Sequence, residues 1–369
     1  MATGFVWDER FMWHQMDGYA GIMPSGGMLQ PAQHFDHPDT KRRLKNLIEV
    51  SGLMAQLTPL HAKPAPREAL ERVHEGAYID RVKTLSEGQG GETGIFAPIG
   101  PGGFDIANLC AGGALAAVDA VINGAVDNVY ALLRPAGHHA EPDMGKGFCV
   151  FANASIAARH AQAVHGLGKI AIIDWDVHHG NGAQKIFWDD PSVLTLSIHQ
   201  DRCFPPDSGM VDEIGGPSAE GFNINVPLPG GCGYGAYEAA FTQVVEPAVE
   251  AYKPDLIIVS SGLDAGGWDP LARMSLYSES FKSLTQKVMA LADATCGGRL
   301  AVLHEGGYDI AMIPFMGLRI VETLSGISTG VEDPFAMIFA EDPAHPLRPH
   351  QQEVVSQAKA VVETLKAAL

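Results

Sequence analysis

The chain is short of cysteine pairs and of positive charge, and each shortage removes a class of protein. Its five cysteines (Cys110, Cys149, Cys203, Cys232 and Cys296) are scattered, odd in number and nowhere spaced as C-x-x-C. They argue against a disulfide framework or a zinc knuckle and for reduced thiols in a cytoplasmic setting. Lys and Arg number 25 against 43 Asp and Glu, a formal charge of −18, so a nucleic-acid partner is not expected. An acidic surface instead draws cationic ligands, or simply keeps the protein dissolved. No apolar run reaches the ~18 residues that span a bilayer, so no membrane partner is expected, and charges stand where a signal peptide is apolar. Repeats, low-complexity tracts and linkers are also missing, and the 369 residues read as one domain, 1–369.

What the chain does carry is concentrated in residues 169–182, KIAIIDWDVHHGNG. Residues 169–173 are a short, β-branched apolar run bounded by Gly168 and by Gly180 and Gly182. That is the pattern of a buried parallel strand, too short for a helix. Asp174, Asp176, His178 and His179 follow at its end. In an extended chain side chains two apart point the same way, so Asp174, Asp176 and His178 are expected to converge. Ionisable groups crowded beside a core need a metal or mutual partners.

Residues 1–40 show Trp and Met without a period and read as a long loop bordering the active site or an oligomer interface. Helices are expected over 41–54 (capped by Thr40), 66–87, 105–123, 153–166, 235–252, 278–296 and 350–368. His74, within the second of these, reads as packing or surface. Between the helices, apolar strands end in polar residues: 128–139 at His138 and His139, 192–200 at Ser197 and His199, 254–264 at Asp264, 299–309 at Glu305 and Tyr308. Strands alternating with helices predict an α/β fold whose parallel sheet is covered on both faces. Ligands in such sheets bind beyond the carboxyl ends of the strands. Chemically capable residues at one common edge therefore predict an enzyme.

Asp176, His178 and Asp264 offer one nitrogen and two carboxylates, a donor set for a single Zn²⁺ with open positions. Of the tandem His138 and His139, one gains a carboxylate partner in Asp174 that fixes its tautomer. Tyr308, after two glycines, suits a phenol that donates to a developing oxyanion.

The segments RPAGHH, MGKGFC, DWDVHHGNG, SIHQDRCFPPDSG, NINVPLP, SGLDAGGWDP and HEGGY together resemble the histone deacetylase family, over roughly residues 1–340. More closely, these segments are similar to the class II-like bacterial histone deacetylase-like amidohydrolases. The resemblance implies the arginase/deacetylase fold, a central eight-stranded parallel sheet with helices on both faces, and zinc-dependent removal of acetyl or other acyl groups from lysine. It implies zinc on Asp176, His178 and Asp264, His139 as general base and acid with Asn181 as its partner, and His138 as an electrostatic partner held by Asp174. Tyr308 matches the transition-state tyrosine. Gly147, Phe148 and Phe204 match the walls of a narrow acyl-lysine tunnel. Two potassium sites are also implied: one around Asp174, Asp176, His178, Ser197 and Ile198, the other around Phe187, Asp190, Val193 and Phe222.

Two related activities compete. Arginase-like ureohydrolases share the fold but hold two manganese ions through D-x-H-x-D and D-x-D, whose final positions here are Gly180 and Gly266. Acetylpolyamine amidohydrolases share the catalytic set, and some place a Glu after a D-P pair near the site. This chain has Leu271 there, which favours acylated lysine in a peptide or protein over a small acetylated amine. Exposed Met and Trp in residues 1–40 suggest a homo-oligomer.

Overall fold

The computed structural model describes residues 1–16 and 18–369. Its centre is an eight-stranded parallel sheet: β1 (Thr3–Val6), β2 (Thr58–Leu60), β3 (Asn128–Ala131), β4 (Ile170–Asp174), β5 (Val193–Gln200), β6 (Asn223–Leu228), β7 (Leu256–Ser261) and β8 (Leu300–His304). The spatial order is β6-β5-β4-β7-β8-β3-β1-β2. β4, the strand read from IAIID, lies between β5 and β7, with Asp174 level with Ser197 and Ser260.

Alternation of side chains divides the sheet into two buried faces. Ala171, Ile173, Ile257, Val259 and Val302 enter one apolar cluster, shared with Leu44 and Ile48 of α1 (Asp39–Val50). The helices α4 (Ser278–Cys296), α5 (Ile313–Ser325) and α6 (Pro349–Ala368) close the same face through Leu284, Ile320 and Val362. Ile170, Ile172, Leu256, Ile258 and Leu303 enter the other, closed by α2 (Gly103–Ile122) and α3 (Asn153–His165). Truncating one such side chain to Ala costs about 2–5 kcal/mol, lost burial and cavity together.

The structure amends the sequence reading in several places. Residues 1–40 are not one irregular loop: 3–6 pair as β1, Phe11 and Met12 are buried in the 3-10 helix Glu9–Trp13, and Met16 is buried. Trp13, Met23 and Met28 remain exposed. The helix expected over 66–87 is two, Arg67–Glu71 and Gly76–Glu87. The break exists because His74 turns inward, its Nδ1 donating to Glu141 O at 3.0 Å and its Nε2 accepting from Ala152 N at 2.9 Å. The first helix stops at Val50 because Gly52 takes φ +80°. Helix α5 had no forecast, since Pro314 and Gly317 interrupt its pattern. Gly317 is required there: a Cβ would lie 2.3 Å from Leu44 Cδ2, so glycine permits α1 and α5 to touch. Finally, α2 is long and apolar enough to cross a membrane by length and composition, despite Asp105 and Asp119. It is the core helix of the second face, with 67% of its apolar window buried.

Candidate active site

Beyond the last residue of β4 the chain leaves the strand, so simple alternation does not aim the site residues. Two carboxylates do so instead, each accepting from an N–H two residues on: Asp176 N to Asp174 Oδ1 at 3.0 Å, and His178 N to Asp176 Oδ1 at 2.9 Å. The fully buried Trp175 pins this segment from the other face, its Nε1 donating to Ser261 Oγ at 3.0 Å. As a result Asp174 is turned towards His138, while Asp176 and His178 converge with Asp264 from β7's far end.

One ligand atom each of Asp176, His178 and Asp264 lie within 4.8 Å of one another, all buried. His178 Nδ1 is 3.1 Å from Asp176 Oδ1 and 3.2 Å from Asp264 Oδ2. Burial alone would depress His178; the two carboxylates outweigh it and hold the imidazole well above its ordinary value. Asp264 Oδ1 accepts from Val177 N at 2.9 Å, whereas Oδ2 receives no backbone N–H among the described residues and faces the His178 imidazole at 3.2 Å. Two buried carboxylates converging on a single imidazole, with their ligand atoms within 4.8 Å of one another, fit one divalent cation of zinc type. With Gly180 and Gly266 following, the carboxylates of a dinuclear site are missing.

The rings of His138 and His139 lie against each other, 3.9 Å between centroids and tilted by 35°. His138 Nδ1 donates to Asp174 Oδ2 at 2.9 Å, and His139 Nδ1 to Asn181 Oδ1 at 2.8 Å. Burial lowers His138, but Asp176 and Asp174 overcome it and push the imidazole up to about 10. His139 is held well below its ordinary value by burial and by the neighbouring cations of His138 and His178. Burial pushes Asp174 up to about 6, against the pull of His138.

Above these groups lies a cavity of about 140 Å³ with His139, His178 and Tyr308 at its floor and Phe148, Phe204 and Leu271 in its wall. Phe148 meets Tyr308 edge-on at 5.7 Å, and Phe204 meets His139 at 4.8 Å. Gly147 must be glycine: its φ is +51°, and a Cβ would fall 2.4 Å from His139 Cδ2 and 2.6 Å from Phe204 Cε1. Burial, with Asp264 and Asp176 nearby, raises the Tyr308 phenol well above its ordinary value, so it stays a donor.

Several contributors carried no assigned role in the sequence. Ile22 and Phe96 complete the wall. Asp269 accepts from Leu271 N at 2.9 Å and from Tyr308 N at 2.8 Å, tying rim to floor. Glu305 Oε2 accepts from Gly137 N at 2.6 Å and His138 N at 3.2 Å, holding the tandem-histidine turn. The Asp-Pro pair of SGLDAGGWDP and the acid of HEGGY were visible signals, but a sheet-edge acid is more often structural. Ser197 and Ile198 sit on β5 beside Asp174. Around the other set, Val193 N donates to Asp190 O at 3.3 Å and Thr195 N to Phe222 O at 3.0 Å, while the Asp190 carboxylate pairs with Arg159 at 2.6 Å and Phe187 is buried. A second His/Asp cluster, His160 and His165 sharing Asp119 Oδ1 at 2.8 and 2.6 Å, joins α2 to α3 by hydrogen bonds.

Residues 34–324 match the histone deacetylase domain. The chain is 48% identical over 362 residues to a histone deacetylase-like amidohydrolase of Pseudomonas aeruginosa, covering 97% of this chain and 95% of that protein. It is 36% identical over 328 residues to the chloroplastic histone deacetylase 14 of Arabidopsis thaliana (83% of this chain, 74% of that one). Over 307 residues it is 37% identical to the polyamine deacetylase HDAC10 of Homo sapiens (80% and 45%). The crystal structure of the HDA15 HD domain superposes with a TM-score of 0.87 at 30% identity, covering 100% of this chain and 96% of that one.

Proposed function

The chain belongs to the histone deacetylase family and is an amidohydrolase, and on that footing we propose that it removes acetyl and related acyl groups from the ε-amine of lysine in peptides or proteins. The observation that carries the reading is the division of labour between two stacked imidazoles. His139 is anchored at Nδ1 and neutral, leaving Nε2 to face the cavity; His138 is charged beside Asp174.

Asp176, His178 and Asp264 would hold one Zn²⁺, which polarises an amide carbonyl and makes water nucleophilic. His139 Nε2 takes the proton of the attacking water and returns it to the departing amine, work that contributes on the order of 10²–10⁴-fold. His138, as imidazolium, keeps its neighbour neutral and stabilises negative charge as it develops. The Tyr308 hydroxyl donates to the oxyanion. Phe148 and Phe204 flank the lysine stem and exclude water. Two potassium ions belong to the proposal on family likeness: one near Asp174, Asp176, His178, Ser197 and Ile198, one near Phe187, Asp190, Val193 and Phe222. A single domain over 1–369, a cytoplasmic location and a homo-oligomer packed through Trp13, Met23 and Met28 complete it; light scattering at micromolar concentration tests the last, a monomer refuting it.

A second reading, hydrolysis of acetylated polyamines, draws on the charge of −18 and the likeness to a polyamine deacetylase. Against it, the wall residue Leu271 brings no carboxylate to a cationic substrate. Turnover of an acetyl-lysine peptide against acetylspermidine separates the two. Tyr308→Phe should cost about 10²–10³ in kcat on the preferred substrate; unchanged turnover in that variant would sink the mechanism.

A further inference from the structure

Asparagine at 181 presents a problem that the stacked histidines make acute. Its amide has two faces, an acceptor oxygen and a donor nitrogen, that differ little in shape. Only one orientation keeps the proton on His139 Nδ1 and leaves Nε2 free to act as a base. Reversed, the amide would offer a donor to Nδ1 and move the imidazole proton to the cavity side.

The surroundings of Asn181 break this ambiguity. Its Nδ2 donates to Glu141 Oε1 at 2.8 Å and to His139 O at 3.2 Å. Glu141 is buried, two residues beyond His139 on the loop that carries it. Lys146 Nζ donates to its Oε1 at 3.0 Å and Lys185 Nζ to its Oε2 at 2.5 Å. Burial would raise this carboxyl, but Lys185 and Lys146 outweigh it, so Glu141 is an anion and can only accept. The chain of contacts therefore runs from two lysines, Lys185 half-exposed and Lys146 mostly covered, through one carboxylate and one amide, to His139 Nδ1.

We propose that Glu141 is the positioning residue that fixes the Asn181 amide, and through it the tautomer of His139. It touches neither substrate nor reacting atoms. The proposal rests on His139 being the general base, and it goes further by assigning the group that keeps it in the basic form. Residues standing behind a first partner in this way typically influence activity 10–100-fold.

The test is a double-mutant cycle on the metal-loaded enzyme: wild type, Glu141→Gln, Asn181→Asp and the double variant. Glu141→Gln keeps the shape but replaces one acceptor oxygen by a donor nitrogen that can face Asn181, which allows the Asn181 amide to reverse. We expect kcat to fall roughly 10-fold with KM unchanged. Asn181→Asp sets a second carboxylate against Glu141, and there the effect should reverse sign: adding Glu141→Gln gives the introduced carboxylate a donor and raises kcat. Thermal midpoints should follow the same pattern, down when the native asparagine is present and up in the Asn181→Asp background. Full kcat in Glu141→Gln, or an effect of the same sign in both backgrounds, overturns the proposal. If wild-type enzyme turns over neither acetyl-lysine nor acetylpolyamine, the functional reading fails instead, and the thermal cycle still decides whether Glu141 orients Asn181.

Discussion

His138 and His139 are adjacent in sequence with ring centroids 3.9 Å apart, yet their surroundings raise the pKa of the first imidazole and lower that of the second. The difference lies in what stands behind each Nδ1: a carboxylate at Asp174, a neutral amide at Asn181. His138→Ala and His139→Ala should therefore fail differently. Losing His139 removes the proton carrier and should cost about 10²–10⁴ in kcat. Losing His138 should cost less and shift the acid limb of the pH–rate profile upward, since a cation no longer disfavours protonation of His139. Identical profiles for the two variants would refute the division of labour.

Gly147 admits no side chain. Gly147→Ala should depress kcat/KM strongly, because the new Cβ can be housed only by moving His139 or Phe204. Peptide turnover and circular dichroism together decide this: a folded, fully active variant would contradict the geometry.

Metal removal is expected to act on stability as well as rate. Asp176 and Asp264 are fully buried, so without the metal two carboxylates have only the single charge of His178 between them. Dialysis against a chelator should abolish turnover and lower the melting midpoint, and stoichiometric zinc should restore both. A midpoint indifferent to the metal would count against the assignment of the triad.

The acid side of the stability profile should carry the signature of His74. Burial pulls its pKa from 6.5 down to about 4 against the opposing pull of the Glu141 and Pro142 carbonyls, and in the fold its Nε2 accepts from Ala152 N. A depressed histidine stabilises the fold above its unfolded pKa and loses that contribution as pH falls through 6.5 towards 4. The gap is worth at most about 3 kcal/mol. Chemical denaturation between about pH 7 and 4 should show the loss, and His74→Gln, which accepts without titrating, should flatten it.

The rim offers a test of selectivity. Leu271→Glu places a carboxylate in the wall and should raise the ratio of acetylspermidine to acetyl-lysine turnover. Competition between the two substrates measures it directly, and an unchanged ratio would remove Leu271 from the specificity argument.

Most of the site was legible because its residues are chemically unusual for their positions. Charged groups at the ends of β4, β7 and β8 have few structural excuses, and a common sheet edge is what groups Asp264 with Asp176 and His178. The elements that escaped notice lacked such contrast. β1 and β2 are four and three residues long, with Gly4 and Pro59 inside them, and helix α5 hides behind Pro314 and Gly317. Asp269, Glu305 and Glu141 went unassigned because their partners are backbone N–H groups and side chains far away in sequence. A chain read in one dimension cannot count those contacts. The convergence of Asp174 with Asp176 and His178 was expected from strand alternation; the actual cause is a pair of carboxylate-capped turns, which split the set into two functions.

The cavity wall is assembled from separate stretches holding Ile22, Phe96, Phe148, Phe204 and Leu271, whereas the floor groups hang from the ends of neighbouring strands. Taste and machinery thus sit on separate parts of this protein. A lineage could trade one lip residue for another and acquire an appetite for longer or differently charged guests, while the reactive apparatus beneath stayed as it was.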